Sequence, residues 1–286
     1  MQAVKNIDLT VQPGEVVAFL GPNGAGKTTT IDMMLGLSDP TDGTVLIDGA
    51  SPRATVDGGR IAAVTQTGGL LNDISVREHV ALIARLFGYD AGRADQVLAQ
   101  AGIADIAKRR TQLCSGGEKQ RLKFAMALVC DPDLMILDEP TTGMDVVARR
   151  DFWKDIHEQA MNGRTVVFAT HYLEEADEYA NRIVMMVDGR IVADGTTAEV
   201  RNLANGRTVT ADFANPADAQ AATESIKAIA SSVETQGAQA IVHTKDSDAV
   251  LKAWLGNTTA HDITVVSEGL EDAFLELAKD NQEDRK

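Results

Sequence analysis

The feature that most constrains this 286-residue chain is a glycine-rich loop set between a strand and a helix. The apolar run Val16–Leu20 predicts a strand, and residues 29–37 predict a helix. Between them stands a G-x-x-x-x-G-K-T pattern made of Gly21, Pro22, Asn23, Gly24, Ala25, Gly26, Lys27 and Thr28, followed by Thr29. Such a loop turns backbone N–H groups toward an anion at the positive end of a helix. We predict a phosphate site, with Lys27 reaching the phosphates and Thr28 binding Mg²⁺. The alternative is a chance glycine turn before a helix.

A second candidate site lies where the apolar run at 134–137 ends in two carboxylates, Asp138 and Glu139. In open α/β sheets, ligands collect at the carboxyl ends of the strands. Asp138 is suited to hold a metal ion, and Glu139 to orient or deprotonate an attacking water. Strands that end in acids at solvated turns are common, so this prediction depends on the glycine loop being a phosphate site.

A third candidate is the segment Ser115, Gly116 and Gly117, which stands directly before a predicted helix at 118–129. Ser115 is a suitable helix cap, and the glycine N–H groups would stay open to an anion. An ordinary N-cap after a glycine turn is the alternative.

The order of predicted elements indicates an α/β core interrupted by helices. Strands are predicted at 44–48, 61–64, 134–137, 165–169, 183–187 and 190–193, and core helices at 146–161 and 173–180. Helices at 76–87, 93–101 and 118–129 form a helical insert over about 72–130. From 207 the predicted order is strand 207–213, helix 217–230, strands 231–236 and 238–244, helix 247–255, strand 262–267 and helix 269–280. This βαββαβ order favours a ferredoxin-like domain at 205–286, after a first domain at 1–204.

Composition narrows the partners and the compartment. A formal net charge of -15 disfavours non-specific nucleic-acid binding and a polybasic membrane anchor. We find no apolar run near the roughly 20 residues that span a bilayer, no signal peptide, and only Cys114 and Cys130 for a disulfide. We therefore predict a cytoplasmic, reduced protein with no nucleic-acid partner.

Taken together, the motifs resemble the ATP-binding cassette (ABC) ATPase family over about residues 4–200. Their order is the glycine loop, Gln66, the segment 114–118, Asp138 with Glu139, the segment 142–145 and His171. The resemblance implies a P-loop NTPase cassette, with a mixed sheet and a helical subdomain, that binds ATP and Mg²⁺. It also implies hydrolysis coupled to transport through a separate integral membrane permease, with the chain peripheral on the inner face of the cell membrane.

The resemblance assigns further roles by position. Gln66 resembles the glutamine that touches Mg²⁺ and water, and His171 the switch histidine that contacts the γ-phosphate. Asp145 resembles the aspartate that crosses to the other subunit. Residues 115–117 resemble the signature that caps ATP bound to the partner chain, which implies a homodimer with two composite sites. The segment after Gln66, through about residue 78, is the predicted permease-docking surface.

Three departures from the family pattern stand out. Cys114 replaces the usual leucine, and Glu118 replaces the usual glutamine. A thiol beside a helix N-terminus is expected to be reactive. The family's opening strand, with its adenine-stacking aromatic residue, is not found between Met1 and Gly14, so we expect weaker adenine stacking by roughly 1 kcal/mol.

The segment 265–277 resembles the C-terminal part of ATPase subunits of daunorubicin-resistance type (ABC-2) exporters, which suggests export of drugs, antibiotics or lipids. A plain amphipathic closing helix is the alternative for this segment. Two other functions remain open: a soluble ABC ATPase acting on nucleic acid or ribosomes, and an importer ATPase regulated by a ligand of its C-terminal domain.

Overall fold

The computed structural model describes residues 2–66, 68–203, 206–267 and Leu270. The chain divides into two compact units, Met1–Thr197 and Ala198–Lys286, each with its own sheet. Among the described helices, none has the length and apolar character needed to cross a bilayer.

The first unit is built on a six-stranded mixed sheet. Its strands are β1 (Val16–Leu20), β2 (Ile61–Val64), β3 (Leu134–Asp138), β4 (Thr165–Ala169), β5 (Arg182–Val187) and β6 (Arg190–Thr196), in the spatial order β2-β3-β4-β1-β5-β6. The five strands from β2 to β5 in that order are parallel, and β6 pairs antiparallel with β5. Every residue of β1 and all but the last residue of β3 are buried, as expected for parallel strands covered on both faces.

Seven helices accompany this sheet: α1 (Lys27–Met34), α2 (Pro52–Asp57), α3 (Val76–Leu86), α4 (Ala91–Gln100), α5 (Gly116–Ala127), α6 (Val146–Met161) and α7 (Leu173–Tyr179). α3, α4 and α5 pack on one another within the interval 72–130. Ser75 begins α3 with a reciprocal capping box to Glu78, and Asp90 caps α4. These caps explain why the interval folds as separate helices.

An aromatic cluster joins the helices to the sheet. Trp153 of α6 lies edge-on to Phe168 of β4, with ring centroids 4.6 Å apart, and stacks on Tyr179 at 4.8 Å. Phe152 makes an edge contact with Phe124 of α5 at 5.3 Å. Such pairs add about 0.5–1.5 kcal/mol each beyond their buried area, so this cluster fixes α5 and α6 against the sheet.

One predicted strand is wrong. Residues 44–48 form no strand, and their backbone pairing is limited to an isolated bridge between Ile47 and Ala50. Among the described residues they line a cavity of about 1,100 Å³ beside the N-terminal segment instead of meeting an extended neighbour. Alternating side chains predict an extended chain, but a strand also needs a hydrogen-bonding partner.

Several helix boundaries also differ from prediction, and those of α1 and α5 involve motif residues. α1 begins at Lys27 instead of residue 29 and ends at Met34, because Gly36 takes a left-handed conformation with φ 67°. α5 begins at Gly116 instead of residue 118. In both cases a glycine or lysine of the motif already belongs to the first helical turn, so the motif residues sit at helix N-termini.

The second unit carries a four-stranded antiparallel sheet. After α8 (Thr197–Leu203), which the sequence pattern did not predict, its elements are β7 (Arg207–Asp212), α9 (Pro216–Ile226), β8 (Ser232–Gln236), β9 (Gln239–Thr244), α10 (Ser247–Asn257) and β10 (His261–Ser267). The spatial order is β10-β7-β9-β8. Trp254 is fully buried among these elements, and its indole N–H donates to the carbonyl of Ala222 at 3.2 Å. The predicted helix 269–280 lies outside the described residues, apart from Leu270.

Candidate functional site

Four loops meet at the carboxyl edge of the first sheet. The parallel register pairs Val64 with Leu137, Asp138 with Ala169, and Phe19 with Ala169. The residues that follow β1, β2, β3 and β4 therefore leave the sheet side by side. These are the loop 21–26, Gln66, Glu139 and His171, so four sequence-predicted site residues or segments share one edge.

The glycine loop depends on backbone shapes that other residues do not adopt. A Cβ atom at Gly21 would lie 2.2 Å from the carbonyl oxygen of Met186 in β5, which is a severe overlap. Gly26, directly before α1, has φ 102°. The Lys27 ammonium group donates to the carbonyl oxygens of Gly21 at 2.5 Å and Pro22 at 3.2 Å, so it arches back over the loop. Thr28 is exposed at the first turn of α1.

Burial sets the electrostatics of this edge. Burial lowers the pKa of Lys27, and the nearby charges of Glu139 and Asp138 partly oppose that shift. Burial also raises the pKa of Asp138, Glu139 raises it further, and Lys27 counteracts both. One buried cation and two carboxylates thus lie close together, which is the charge arrangement needed to bind phosphate oxygens together with a cation.

Glu139 is held in a strained backbone conformation. Its φ is 50°, a left-handed value that costs a non-glycine residue on the order of 1 kcal/mol. Its N–H donates to the carbonyl oxygen of Ala169 at 2.9 Å, and the buried amide of Gln120 in α5 donates to the carbonyl oxygen of Pro140 at 3.2 Å. The side chain is only 11% exposed, and its carboxylate lies 2.7 Å from His171 Nδ1. Glu139 therefore combines a left-handed backbone conformation with a short contact to His171.

The segment 115–117 begins α5 in a closed hydrogen-bonding arrangement. Ser115 and Glu118 form a reciprocal capping box, with Ser115 N–H donating to the Glu118 carboxylate at 2.8 Å. Arg109 donates to the same carboxylate at 2.6 Å, and the pKa of Glu118 is lowered by these bonds, the Ser115 N–H first. The glutamate that departs from the family pattern is therefore a structural cap whose charge is balanced by Arg109.

The loop before α6 packs against the start of α5. A Cβ atom at Gly116 would lie 3.0 Å from the carbonyl oxygen of Gly143. Asp145 is exposed and caps α6, because its carboxylate accepts from the N–H of Ala148 at 2.9 Å. Ser115 and Asp145 thus lie on neighbouring loops of the same face.

Cys114 contradicts the expectation of a reactive thiol. Its side chain is buried, and burial and then the charge of Glu118 raise the pKa of the thiol. A raised pKa leaves less thiolate at neutral pH, so Cys114 acts as a small core residue.

Gln66 follows β2 at the same edge of the sheet as the acids. It is exposed, and its backbone carbonyl accepts from the Lys123 ammonium of α5 at 3.2 Å. Lys123 also donates to the carbonyl of Thr65 at 3.0 Å. The segment after β2 is therefore anchored to α5 through its backbone.

Three residues that hold this site belong to none of the motifs found in the sequence. Gln120 supports the turn at Glu139, Lys123 holds Gln66, and Glu175 bonds to the residues beside Glu139 and His171. Gln120 and Glu175 are buried and Lys123 is half-buried, and a one-dimensional hydrophobic period does not reveal their contacts.

The comparisons agree with this geometry. A family model described as "ABC transporter" matches residues 4–142. The Nod factor export ATP-binding protein I of Cupriavidus metallidurans is 34% identical over 283 residues, which cover 96% of this chain and 91% of that protein. The chain belongs to the ABC transporter family. It is an ATP-binding subunit of that family, and an ATPase.

Two further similarities bear on this ABC subunit. The daunorubicin/doxorubicin resistance ATP-binding protein of Streptomyces peucetius is 38% identical over 207 residues, covering 70% of this chain and 63% of that protein. A dimeric ATP-binding cassette solved in a post-hydrolysis state with ADP and Pi is 27% identical, with a TM-score of 0.63, and covers 68% of this chain and 90% of the other. The cassette fold predicted from the motifs is thereby confirmed.

The raised pKa of Asp138 predicts opposite effects on stability and activity. We expect Asp138→Asn to raise the melting temperature at pH 7.5 by about 2–4 °C while lowering ATPase activity at least tenfold. The reason is that a carboxylate with a raised pKa opposes folding once it is ionised.

The pH dependence provides the check on this cause. Below the ordinary aspartate pKa of 3.8, Asp138 is protonated in both the folded and unfolded states, so the gain vanishes there. It grows as pH rises above 3.8, where the unfolded state ionises first, and is complete once pH exceeds the raised folded pKa. Thermal unfolding across pH 3.5–8 measures it. The exposed Asp39→Asn is the matched control, and a variant that is less stable than the parent at pH 7.5 would contradict the argument.

Proposed function

We propose that the chain works as a homodimer in which two ATP molecules are bound between the loop 21–28 of one copy and the segment 115–117 of the other. In this proposal the dimer drives an exporter by acting on a separate integral membrane permease. The observation that carries the proposal is the shared sheet edge, where Lys27, Glu139 and His171 converge while Ser115 and Asp145 face outward.

Each residue at the sheet edge has a distinct role in hydrolysis. Backbone N–H groups of residues 23–28 and the Lys27 ammonium bind the β- and γ-phosphates. Glu139 orients the attacking water and accepts its proton. His171 contacts the γ-phosphate, and its 2.7 Å distance to the Glu139 carboxylate places the two groups side by side at the reacting phosphate.

The oxygen ligands that this edge offers suit Mg²⁺. Thr28 offers a hydroxyl, Gln66 an amide carbonyl and Asp138 a carboxylate, which are the hard oxygen ligands that Mg²⁺ binds alongside phosphate. No group of three or more His, Cys, Asp or Glu side chains suited to a metal occurs in the described ranges. When bound, Mg²⁺ neutralises charge on the phosphates.

Exposed apolar side chains support the composite dimer. Leu113, Val146 and Val147 are 68%, 79% and 70% exposed, and they flank the two loops that carry Ser115 and Asp145. Apolar groups beside a polar helix start are typical of a surface that another chain covers. A second copy offering its loop 21–28 fits that surface. Asp145 then crosses to the partner while still capping α6.

The segment after Gln66, through about residue 78, is the proposed docking surface for the permease. Leu71 is 53% exposed, and its N–H donates to Nε2 of the buried His79 of α3 at 2.8 Å. His79 Nδ1 faces the carbonyl of Ser75 at 3.1 Å, so one imidazole ring of α3 contacts both Leu71 and Ser75 of the segment. Movement of α3 is thereby transmitted to the segment, and Gln66 connects it to the nucleotide.

The exporter assignment rests on relatives. Proteins named for Nod factor export and for daunorubicin resistance match this chain. We therefore assign the chain to the ABC-2 type, with drugs, antibiotics or lipids as the substrate class, held at the inner face of the membrane by its permease. We further propose that residues 1–204 are the ATP-binding domain, and 205–286 a ferredoxin-like accessory domain, for which the strand order β10-β7-β9-β8 is the support.

The first test of this function is a trapping experiment. Glu139→Gln keeps the shape of the side chain but removes the proton acceptor, so we expect hydrolysis to fall at least 100-fold while ATP still closes the dimer. Size-exclusion chromatography with light scattering in Mg-ATP should show the mass of two chains, with nucleotide co-eluting. A Glu139→Gln chain that hydrolyses ATP at the parental rate would contradict the role of Glu139.

The docking surface is tested by a charge placed on it. Leu71→Asp should reduce recovery of an integral membrane protein with the tagged chain by about tenfold, because a carboxylate is poorly tolerated in an apolar contact. Basal ATPase activity should stay within about twofold. Leu37→Asp, at a 70% exposed leucine outside the segment, is the matched control. Equal recovery with both variants would place the permease contact elsewhere.

A further inference from the structure

Glu175 is a buried carboxylate that lies outside the motifs assigned above. It stands in the first turn of α7 and is only 3% exposed. A buried carboxylate is costly unless it is hydrogen-bonded and its charge is balanced. Its partners therefore indicate what the residue is for.

The two oxygens of Glu175 reach two different turns of the catalytic edge. One accepts a hydrogen bond from the Thr141 hydroxyl, and the other accepts from the Thr170 hydroxyl at 2.9 Å. Thr141 comes two residues after Glu139, and Thr170 comes directly before His171. One carboxylate thus bridges the turn after β3 and the turn after β4.

The bridge also fixes the direction of the His171 turn. The Thr170 hydroxyl accepts from the N–H of Tyr172 at 3.0 Å, and the Tyr172 ring lies against the His171 ring with centroids 4.1 Å apart. His171 itself is 51% exposed, so it lacks the packing that holds a buried side chain. Its position depends on these neighbours.

The charge of Glu175 is balanced from α6. Arg149 Nε lies 3.6 Å from the Glu175 carboxylate, and its guanidinium group lies over the Tyr172 ring at 4.9 Å. Arg149 is one helical turn after Asp145, which caps the same helix. The network therefore joins the proposed partner-facing end of α6 to the turn that carries His171.

We propose that Glu175 is a positioning residue that fixes the separation of Glu139 and His171 by anchoring both of their turns. Through Arg149 it also relays the placement of α6 to His171. This inference rests on the proposed roles of Glu139 and His171. A displacement of about 1 Å in such a pair is enough to reduce catalysis by up to roughly 100-fold.

The test is steady-state ATPase kinetics of Glu175→Gln. We expect kcat to fall by about tenfold to 100-fold, with KM for ATP within about twofold, because the loop 21–28 is untouched. Glu174→Gln, an exposed neighbour on the same turn, should match the parent. A Glu175→Gln chain with parental kcat would overturn the proposal, and so would a rise in KM with kcat unchanged.

A double-mutant cycle distinguishes positioning from general destabilisation. His171→Ala should lower kcat, and the double variant Glu175→Gln/His171→Ala should be no slower than His171→Ala by more than about twofold. Independent, multiplying losses would overturn the proposal. If His171→Ala alone keeps parental kcat, the proposed role of His171 fails first and the inference falls with it. If His171→Ala lowers kcat and Glu175→Gln does not, the inference about Glu175 is wrong and the proposed role of His171 stands.

Variants of Thr141, which donates a hydrogen bond to Glu175, test the proposal if Glu175→Gln does not fold. Thr141→Ser retains the hydroxyl and should keep kcat within about threefold, whereas Thr141→Val, of similar size, should reproduce the fall in kcat. Equal activity of the serine and valine variants would show that the hydrogen bond to Glu175 does not position the site.

Discussion

The parallel register of β1, β3 and β4 is the constraint on which the rest of the molecule depends. Because Phe19 and Asp138 both pair with Ala169, the loops after these three strands leave the sheet at one level. These strands are buried on both faces, so a slip in register would disrupt close-packed side-chain contacts on both sides of the sheet. Formation of the sheet in this register is therefore enough to bring the phosphate loop, the acids and the histidine close together.

Bringing these groups together costs free energy through desolvation of charges and backbone strain. Lys27 and Asp138 are partly removed from water, each with its pKa shifted against its charged form, and Glu139 sits at a positive φ. Side chains from outside the strands stabilise the arrangement: Gln120 and Lys123 from α5, and Glu175 from α7. α5 also begins at the segment 115–117, and α7 directly follows the turn that carries His171. The contacts that support the catalytic edge therefore also connect it to the segment 115–117 and to α7.

Much of the first unit follows from the sequence, for reasons that differ by element. The glycine loop was predictable because a strand, a G-x-x-x-x-G-K-T pattern and a helix in succession have few alternative meanings. α6 and β4 were located correctly from their apolar periodicity and flanking turn residues. The strand at 44–48 was not, because its existence depends on a partner and not on its own side chains. Cys114 was misjudged for a similar reason, since burial and Glu118 outweigh its place beside a helix start. Glu175 carried no recognisable spacing, and only the folded chain brings Thr141 and Thr170 to its two oxygens.

The central claim is that each ATP site is made by two chains, and complementation between two inactive variants tests it most directly. Lys27→Ala disables the phosphate loop, and Ser115→Arg blocks the segment 115–117. In a mixed dimer, the intact loop of the second chain faces the intact segment of the first, so one composite site is restored. Mixing the two inactive chains in equal amounts should recover about a quarter of parental ATPase activity, since half of the dimers are mixed and each has one working site. A mixture no more active than the average of the separate variants would contradict the account, because it would mean that loop and segment do not meet across a homodimer.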